Sequence, residues 1–413
     1  MIGWSRPVAF VNAQVVLDGT GQQTAASIRF SSRILEIDTR PARGDAVIDL
    51  DGAFVLPGLV NAHDHLELNH YGRLKRRDRY ANATDWIEDL RPALQDDPGI
   101  RSNRRYPLRD RLFIGGVKNL LAGVTTVAHH NPLYRGIDDR VPIRVLRRFG
   151  WAHSFQLERR PVGANGEPGG DVRERCLATP PDWPFVVHAG EGIDAPAAED
   201  IARLERAGCL RRNTVIVHGV ALTPTMWAQM LAARASLVWC PASNQYLFGQ
   251  TVDARRLLDA ATDAWTHLSL GTDSRVTGSR DLLDEIRVAK SASALAPHEL
   301  LRMVTVAAAN VLKAPAAGRI AAEFPADLLV IPGSHDGSAA DALVSASRAD
   351  VGCVVVGGTP MVGDASMSAA FAGRRVTTAR ITVDGVERLA AKRLVRTIAR
   401  CAIWEPGLRV ETG

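Results

Sequence analysis

The side chains in this sequence that are best suited to chemistry are four histidines and one aspartate, each at the end of a short apolar run. They end or follow the runs FVLPGLVNA, FVV, TVIV and HLSLGT, and they are His63, His65, His188, His218 and Asp273. Imidazole and carboxylate groups are the ligands that zinc and iron prefer in proteins. If the apolar runs are strands whose ends meet, the sequence predicts a metal site there.

His63 and His65 are separated by one residue, so on a strand both side chains point to the same side. Two imidazoles on one strand face provide half of a zinc or iron site. Such a pair alone also occurs by chance, and the later strand-end residues make the prediction specific. Asp64, between them, should face away, where a supporting role and a catalytic role both remain open.

The elements that must position these residues change in type along the chain. Residues 7–56 alternate short β-like runs with turns such as Asp18-Gly19, whereas from about residue 57 strands alternate with amphipathic helices. That alternation is typical of an α/β fold with a parallel sheet, here a (β/α) barrel of the TIM type. After Gly318 the sequence becomes β-like again. We therefore expect a small β-rich domain formed by residues 1–56 and 318–413, and a barrel over 57–317.

The strand count does not match a regular barrel. We find about seven candidate strands before Asp273, whereas a TIM barrel has eight. The interval 157–184 follows the third candidate strand and contains the flexible-looking loop 161–171. It is too short to contain a further strand with a helix on each side of it. The prediction is a barrel that is distorted or one unit short.

Three helices are predicted by their patterns. The segment 110–123 should be a helix that ends at Gly123, and Pro297 should begin one long helix over 297–314. The stretch 386–405 near the end of the chain is expected to be a terminal helix.

Composition narrows the class of protein. The chain has 413 residues, 46% hydrophobic and 23% charged, which is ordinary for a globular protein. No apolar run is long enough for a membrane span, and the first residues do not form a signal peptide, so we expect no membrane association and a cytoplasmic location. The five scattered cysteines should be free thiols. A basic stretch begins at Arg73, but no nucleic-acid motif accompanies it, and nucleic acid is not expected as a partner.

The segments PGLVNAHDHLE, GVTTV, HAGE, IVHG, CPASN and LGTDS, in this order, resemble the amidohydrolase superfamily. The later segment VTVAAANVLK and the stretch GRIAAEFPADLLVI are similar to that superfamily's closing part. The resemblance spans residues 8 to 331 and is strongest to the mononuclear aminohydrolase branch, which includes deaminases and triazine hydrolases. Relatives with two metals often use a carboxylated lysine as a bridge, and no lysine lies between Lys118 and Lys290.

The resemblance implies roles for particular residues. One divalent metal, zinc by preference and iron as the alternative, would be held by His63, His65, His188 and Asp273. His218 would touch the substrate or a metal-bound water, and Glu191 would shuttle protons, so that Glu191, His218 and Asp273 are the expected catalytic residues. Substrate contacts are expected in the loop after the first strand, at the end of VTTVAHH and in PASN: Glu67, His70, Arg73, His129, His130 and Asn244.

These parts fit a hydrolysis. A metal held by imidazoles and a carboxylate lowers the pKa of a bound water towards neutrality. Asp273 can accept a proton from that water, Glu191 can protonate a ring nitrogen and the leaving amine, and His218 can stabilise the developing oxygen.

The leading interpretation is therefore a metal-dependent hydrolase that deaminates a nitrogen heterocycle or an amidine-like amine. The alternatives are ring opening of a cyclic amide, as in imidazolonepropionase, and triazine hydrolysis. A non-catalytic binding protein on the same scaffold is a further alternative. The expected partner is a small-molecule substrate, and the resemblance implies a homo-oligomer, a dimer by preference.

Overall fold

The computed structural model describes residues 5–19, 22–137, 141–157, 171–333 and 337–411. Its strands are β1 Val8–Val11, β2 Gln14–Val15, β3 Ile28–Phe30, β4 Ile34–Ile37, β5 Ala46–Asp49, β6 Phe54–Pro57, β7 Leu59–Asp64, β8 Val124–His129, β9 Arg144–Val145, β10 Gly150–Ala152, β11 Phe185–Ala189, β12 Thr214–His218, β13 Ser236–Trp239, β14 Leu268–Leu270, β15 Leu328–Ile331, β16 Cys353–Val356, β17 Thr359–Gly363, β18 Thr378–Val383, β19 Val386–Ala391 and β20 Leu408–Val410.

The helices pack around and between these strands. They are α1 Ala83–Leu90, α2 Ala93–Asp96, α3 Pro98–Arg104, α4 Leu108–Leu121, α5 Val172–Ala178, α6 Ala195–Arg206, α7 Pro224–Ala232, α8 Pro241–Phe248, α9 Ala254–Asp259, α10 Leu282–Ala292, α11 Pro297–Met303, α12 Val306–Val311, α13 Ala339–Ser345, α14 Ser368–Gly373 and α15 Lys392–Arg400. Short 3-10 helices occur at Leu66–Leu68, Ala264–His267, Arg348–Asp350 and Ala365–Met367. None of the helices within the described ranges is both long and apolar enough to cross a bilayer.

The strands β7 to β14 are arranged in two parallel arcs. One arc has the order β7-β8-β9 and the other the order β10-β11-β12-β13-β14. Every neighbouring pair within an arc is parallel. Among the described residues no ladder joins the arcs into a closed barrel, although the Asp273 N–H donates to the His63 carbonyl at 3.1 Å. The fold is therefore α/β with a parallel sheet, as the sequence predicted.

The strand count differs from the sequence-based one at β9. This strand is only two residues long, Arg144–Val145, and it pairs with β8 at Thr126 and Val127. So short a strand has no periodicity of its own and was missed. It lies before the third candidate strand (residues 151–156), whereas the sequence predicts the irregularity after that strand, over 157–184. Of that interval, residues 158–170, which include most of the predicted loop 161–171, lie outside the described residues.

The segments before and after the arcs meet in a second, mainly antiparallel sheet. Its order is β2-β6-β15-β16-β17-β19-β18-β20, so strands from both ends of the chain pair with each other. A four-stranded sheet, β4-β3-β1-β5, packs nearby. Phe10 and Phe30 contact edge to face in a buried apolar cluster separate from that of the parallel arcs.

Of the three helix predictions, one is confirmed and two are wrong in part. Helix α4 ends just before Gly123, whose φ of 79° is left-handed, as predicted. The long helix after Pro297 is instead two helices, α11 and α12, separated at Thr305 by a non-helical backbone. The terminal helix prediction was wrong in its first part, because residues 386–391 form β19 in a hairpin with β18 and only 392–400 are helical.

Candidate metal centre and active site

Five of the predicted site residues converge at the carboxyl ends of the parallel strands. His63 lies at the end of β7 and His65 directly follows that strand. His188 lies on β11, His218 is the last residue of β12, and Asp273 follows β14. The backbones of His218 and Asp273 are left-handed, with φ of 74° and 52°. Such a conformation is uncommon for residues other than glycine and is concentrated at functional sites.

The predicted ligand atoms face one another. The His63 Nε2 lies 3.3 Å from the His188 Nε2 and 3.8 Å from the Asp273 Oδ1. The His65 Nε2 lies 3.6 Å from the same Asp273 oxygen. Four imidazoles, those of His63, His65, His130 and His188, each place a nitrogen within 4.8 Å of the others, and all four are buried. A cluster of nitrogen and oxygen ligands this dense fits a divalent ion.

These imidazoles are held in the neutral form that a metal requires. Burial lowers the pKa of His63 and His188 well below the usual value, and the neighbouring histidines lower it further. Burial also lowers the pKa of His65, although the charge of Asp273 opposes this. A neutral imidazole has a free lone pair on one nitrogen, so the residues present suit metal ligation.

Asp273 is held as a carboxylate by the groups around it. Burial alone would raise the pKa of Asp273, but His65, His218 and two hydroxyl donors bring it below the ordinary value. The hydroxyls of Ser243 and Thr277 donate to the Asp273 Oδ2 at 2.9 and 2.7 Å. The Oδ1 atom therefore remains directed towards His63 and His65.

Glu191 and His218 form a second pair beside the histidine cluster. The Glu191 Oε1 lies 3.5 Å from the His218 Nε2. Burial raises the pKa of Glu191 to about 7, despite the opposing effect of His218. The other His218 nitrogen, Nδ1, lies 2.9 Å from the Asn244 Oδ1, which can only accept. Nδ1 therefore carries a proton, and a neutral His218 presents a lone pair at Nε2 towards Glu191.

The residues predicted as substrate contacts have partners within the protein, and their contact with a substrate stays a prediction. His130 belongs to the histidine cluster, and Asn244 orients His218. Glu67 lies beside His129, with 3.7 Å between the Glu67 Oε2 and the His129 Nδ1, and it accepts a hydrogen bond from Asn131.

The other two predicted contacts bond to backbone. The His70 Nε2 lies 3.0 Å from the Asn103 carbonyl. Arg73 donates to the Gly278 carbonyl and its guanidinium lies over the ring of Tyr246.

Asp64 faces away from the ligands, as expected, and it forms a buried ion pair. Its Oδ2 accepts from the Lys118 Nζ at 3.1 Å and from the Asn119 Nδ2 at 2.7 Å. Asn69 donates to the Oδ1 at 2.6 Å. The side chains of Asp64 and Lys118 are both fully buried. This network fixes β7 against α4, and it occupies the amine of Lys118.

A cleft with about 550 Å³ of empty volume opens beside His188 and Glu191. The cleft is also lined by polar side chains that no sequence motif indicated, namely Asn82, Thr84, Asp85, Ser154 and Asp200. Asn82 also caps α1, since its side chain accepts from the Asp85 N–H. A helix-cap signal could have located Asn82, but not its place beside the cleft.

Comparison with known proteins identifies the class to which this fold and site belong. A family model described as the amidohydrolase family matches residues 182–361. The 5-methylthioadenosine/S-adenosylhomocysteine deaminase of Pyrococcus furiosus is 31% identical over 343 residues, which cover 70% of this chain and 77% of that protein. The enzyme of the same name from Natronomonas pharaonis is 27% identical over 387 residues, or 80% and 86% of the two chains.

Solved structures share the fold. An atrazine chlorohydrolase from Arthrobacter aurescens, solved with zinc, has a TM-score of 0.67 and 19% identity and covers 86% of this chain and 95% of its own. An adenosine deaminase from Xanthomonas campestris with bound zinc has a TM-score of 0.63, 19% identity and coverages of 89% and 97%. The class is the metal-dependent hydrolases built on parallel βα units. Within it, the chain belongs to the amidohydrolase family, as its motifs predicted.

Proposed function

We propose that the protein is a single-metal aminohydrolase that releases ammonia from an amino-substituted nitrogen heterocycle. The observation that carries the proposal is the pair formed by Glu191 and His218 beside the histidine cluster. A buried carboxyl group whose pKa is raised to about 7 can both donate and accept a proton near neutral pH. Deamination needs such a group, because the leaving nitrogen must gain protons.

The ligands in this proposal are His63, His65, His188 and Asp273, and zinc is the preferred ion. When bound, the ion lowers the pKa of a water and supplies a nucleophile near neutral pH. The Asp273 carboxylate, whose pKa lies below the ordinary value, would stay ionised and be available to accept a proton from a water at this site. The hydroxyls of Ser243 and Thr277 keep the carboxylate in place while it does so.

The protons reach the substrate through Glu191 in this scheme. Its carboxyl protonates a ring nitrogen next to the attacked carbon, which makes that carbon more electrophilic, and this proton stays on the ring. As the new C–O bond becomes a carbonyl, Glu191 takes the remaining proton of the attacking water and passes it to the leaving amine, and the proton held by Asp273 then returns to Glu191. His218, whose Nδ1 proton is held by Asn244, presents its Nε2 lone pair to Glu191 and orients that carboxyl while it carries a proton.

The substrate class that we propose is an adenine-type nucleoside or another aminopurine. The deaminases of Pyrococcus furiosus and Natronomonas pharaonis, whose names specify 5-methylthioadenosine and S-adenosylhomocysteine, support this choice. The polar cleft beside Glu191 offers acceptors such as Asp85 and donors such as Ser154 to substrate hydroxyl groups.

An ammonia-release screen of zinc-loaded protein tests the proposal. Adenosine-type nucleosides, free aminopurines, aminopyrimidines, triazines and cyclic amides are assayed alongside the Glu191→Gln variant. We expect ammonia from at least one aminopurine and a loss of about 10²–10⁴-fold in the variant with zinc content unchanged. Ring opening of a cyclic amide, or halide release from a triazine, without any ammonia would contradict it, and so would a zinc-loaded protein that turns over none of them.

The proposal also covers the architecture, the metal stoichiometry, the location and the oligomeric state of the protein. The two parallel arcs form one (β/α) barrel over residues 57–317, and residues 1–56 and 318–413 form the small domain. One zinc ion binds per chain, the protein acts in the cytoplasm, and it is a homodimer. All five cysteines fall in described residues and are free, which supports a reducing compartment. Light scattering and metal analysis of the purified protein test the stoichiometries.

A further inference from the structure

The environment of His63 contains an imidazole that the proposed chemistry does not use. We infer that His130 is a positioning residue that holds the proton of His63 on Nδ1 and so directs the Nε2 lone pair of His63 at the metal. This inference rests on the metal site of the proposed function, but not on the identity of the substrate.

The two nitrogens of His63 face different neighbours. Nε2 lies 3.3 Å from the His188 Nε2 and faces the side where Asp273 lies. Nδ1 lies 3.3 Å from the Nδ1 of His130. A neutral imidazole carries one proton, and the nitrogen that binds a metal must be free of it. With Nε2 as the ligand atom, the proton of His63 therefore belongs on Nδ1, where it points at His130.

The hydrogen bonding of His130 is complementary to that arrangement. Its Nε2 lies 2.9 Å from the Ala152 carbonyl oxygen, which can only accept, so this nitrogen carries the proton of His130. The Nδ1 of a neutral His130 then has a free lone pair and accepts from His63. The Ala152 carbonyl thus keeps the proton of His130 on Nε2, and His130 in turn keeps the proton of His63 on Nδ1.

Packing fixes the ring of His130 in this orientation. The ring is buried, with 2% of the residue exposed. It stacks on His188 with 4.4 Å between ring centres and an angle of 6°, and the edge of Trp151 lies against it at 5.7 Å. The ring cannot turn over without losing the hydrogen bond to Ala152.

The same segment also orients the second ligand. The Nδ1 of His188 lies 2.9 Å from the carbonyl oxygen of His153, the residue after Ala152. β11, which carries His188, pairs directly with β10, so the carbonyl is within reach. β7, which carries His63, does not pair with β10. An intervening imidazole from the end of β8 bridges that gap.

This assignment differs from the substrate contact that the sequence suggested for His130. Both of its nitrogens already have protein partners, and the residue is closed to solvent. The assignment also means that His130 is not a metal ligand, because the lone pair on its Nδ1 faces the Nδ1 of His63, which carries a proton. His130 acts through His63 and needs no contact with the ion or the substrate.

Two substitutions separate this role from simple packing. His130→Phe keeps a buried ring but removes both nitrogens. His130→Gln offers an amide oxygen to His63 and an amide N–H to Ala152. We expect His130→Phe to weaken zinc binding about 10–100-fold in chelator competition, as loss of a partner of a metal-bound histidine does, and His130→Gln to recover most of it. The matched control is His267→Phe, which replaces a half-buried imidazole that lies before β14. This variant should bind zinc as the unaltered protein does.

A second measurement does not depend on how well these variants fold. Long-range ¹H–¹⁵N NMR of histidine in the zinc-loaded protein should show His130 neutral, protonated on Nε2 and not bound to zinc, with its signal identified by its absence in His130→Gln. A zinc-bound His130 nitrogen, or a proton on its Nδ1, would overturn the inference. Wild-type zinc affinity in His130→Phe would do the same. None of these readouts requires turnover, so they stand apart from a failure of the ammonia screen.

Discussion

At the scale of single residues, Glu191 combines burial with a neighbouring imidazole, and this gives the protein a measurable response to pH. Burial raises the pKa of Glu191 to about 7, so its carboxyl is mostly protonated below that pH and mostly ionised above it. As the proposed proton donor, it is active in its protonated form.

We therefore expect kcat/KM to fall as the pH rises through about 7, with a tenfold loss for each further unit. The measurement is a pH profile of ammonia release under conditions where zinc content is constant. A rising limb through the same range would mean that the ionised carboxylate is the active form. Glu199→Gln, on the exposed side of α6, is the control and should leave the profile unchanged.

At the scale of elements, the buried ion pair of Lys118 and Asp64 joins α4 to β7 beneath the histidines. Removal of one partner leaves an uncompensated charge in the interior, which costs about 3–5 kcal/mol. Lys118→Met should lower the free energy of unfolding by roughly that amount. Lys392→Met, on the exposed first residue of α15, should change it by no more than about 0.5 kcal/mol.

The double variant Asp64→Asn with Lys118→Met is informative because it removes both charges. We expect it to be more stable than Lys118→Met alone, measured by denaturant unfolding at neutral pH. Equal stability of the single and double variants would show that the charge left on Asp64 is not what destabilises the protein.

The elements also show where sequence reasoning succeeds and where it stops. The histidines of β7, β11 and β12 could be predicted because each ends an apolar run, a signal carried by neighbouring residues. β9 could not, since Arg144 and Val145 become a strand only by pairing with β8. The sequence of β19 predicts a helix because its apolar residues fit both periods, and its pairing with β18 in a hairpin makes it a strand.

The partners of the site residues were hidden for the same reason. Lys118 is 54 residues from Asp64, and Ser243 is 30 residues from Asp273. His130 is 67 residues from His63, and its role depends on the carbonyl of Ala152 on another strand. Side-chain type and spacing identify the ligands, whereas the groups that orient them depend on tertiary packing.

At the scale of the whole molecule, a residue near the C-terminus, Glu405, contacts the loop that follows Asp273. Glu405 is buried and accepts hydrogen bonds from Arg275 at 2.6 and 2.9 Å and from Arg348 at 2.6 Å. Arg275 in turn contacts Asn69, a member of the network around Asp64. The C-terminal segment therefore supports the surroundings of the candidate active site.

Glu405→Gln should be strongly destabilising, because two guanidinium groups lose their shared counter-charge in a buried place. We expect a loss of about 3–5 kcal/mol in the free energy of unfolding. Glu387→Gln breaks an exposed pair with Arg380 and is the matched control, with an expected loss below about 1 kcal/mol. Similar losses in the two variants would show that the buried network contributes no more than a surface ion pair.

The uneven exposure of the histidine cluster also bears on how fast an ion exchanges. His63 and His130 are closed to solvent, while His65, His188 and Asp273 keep a small exposed edge, and His188 lines the cleft. Because His188 lines the cleft, we expect an ion to enter or leave through the space proposed for the substrate. An occupied cleft would trap the ion, so that metal loss to a chelator becomes slower while substrate or product is bound, and the resting enzyme is the form most vulnerable to metal depletion.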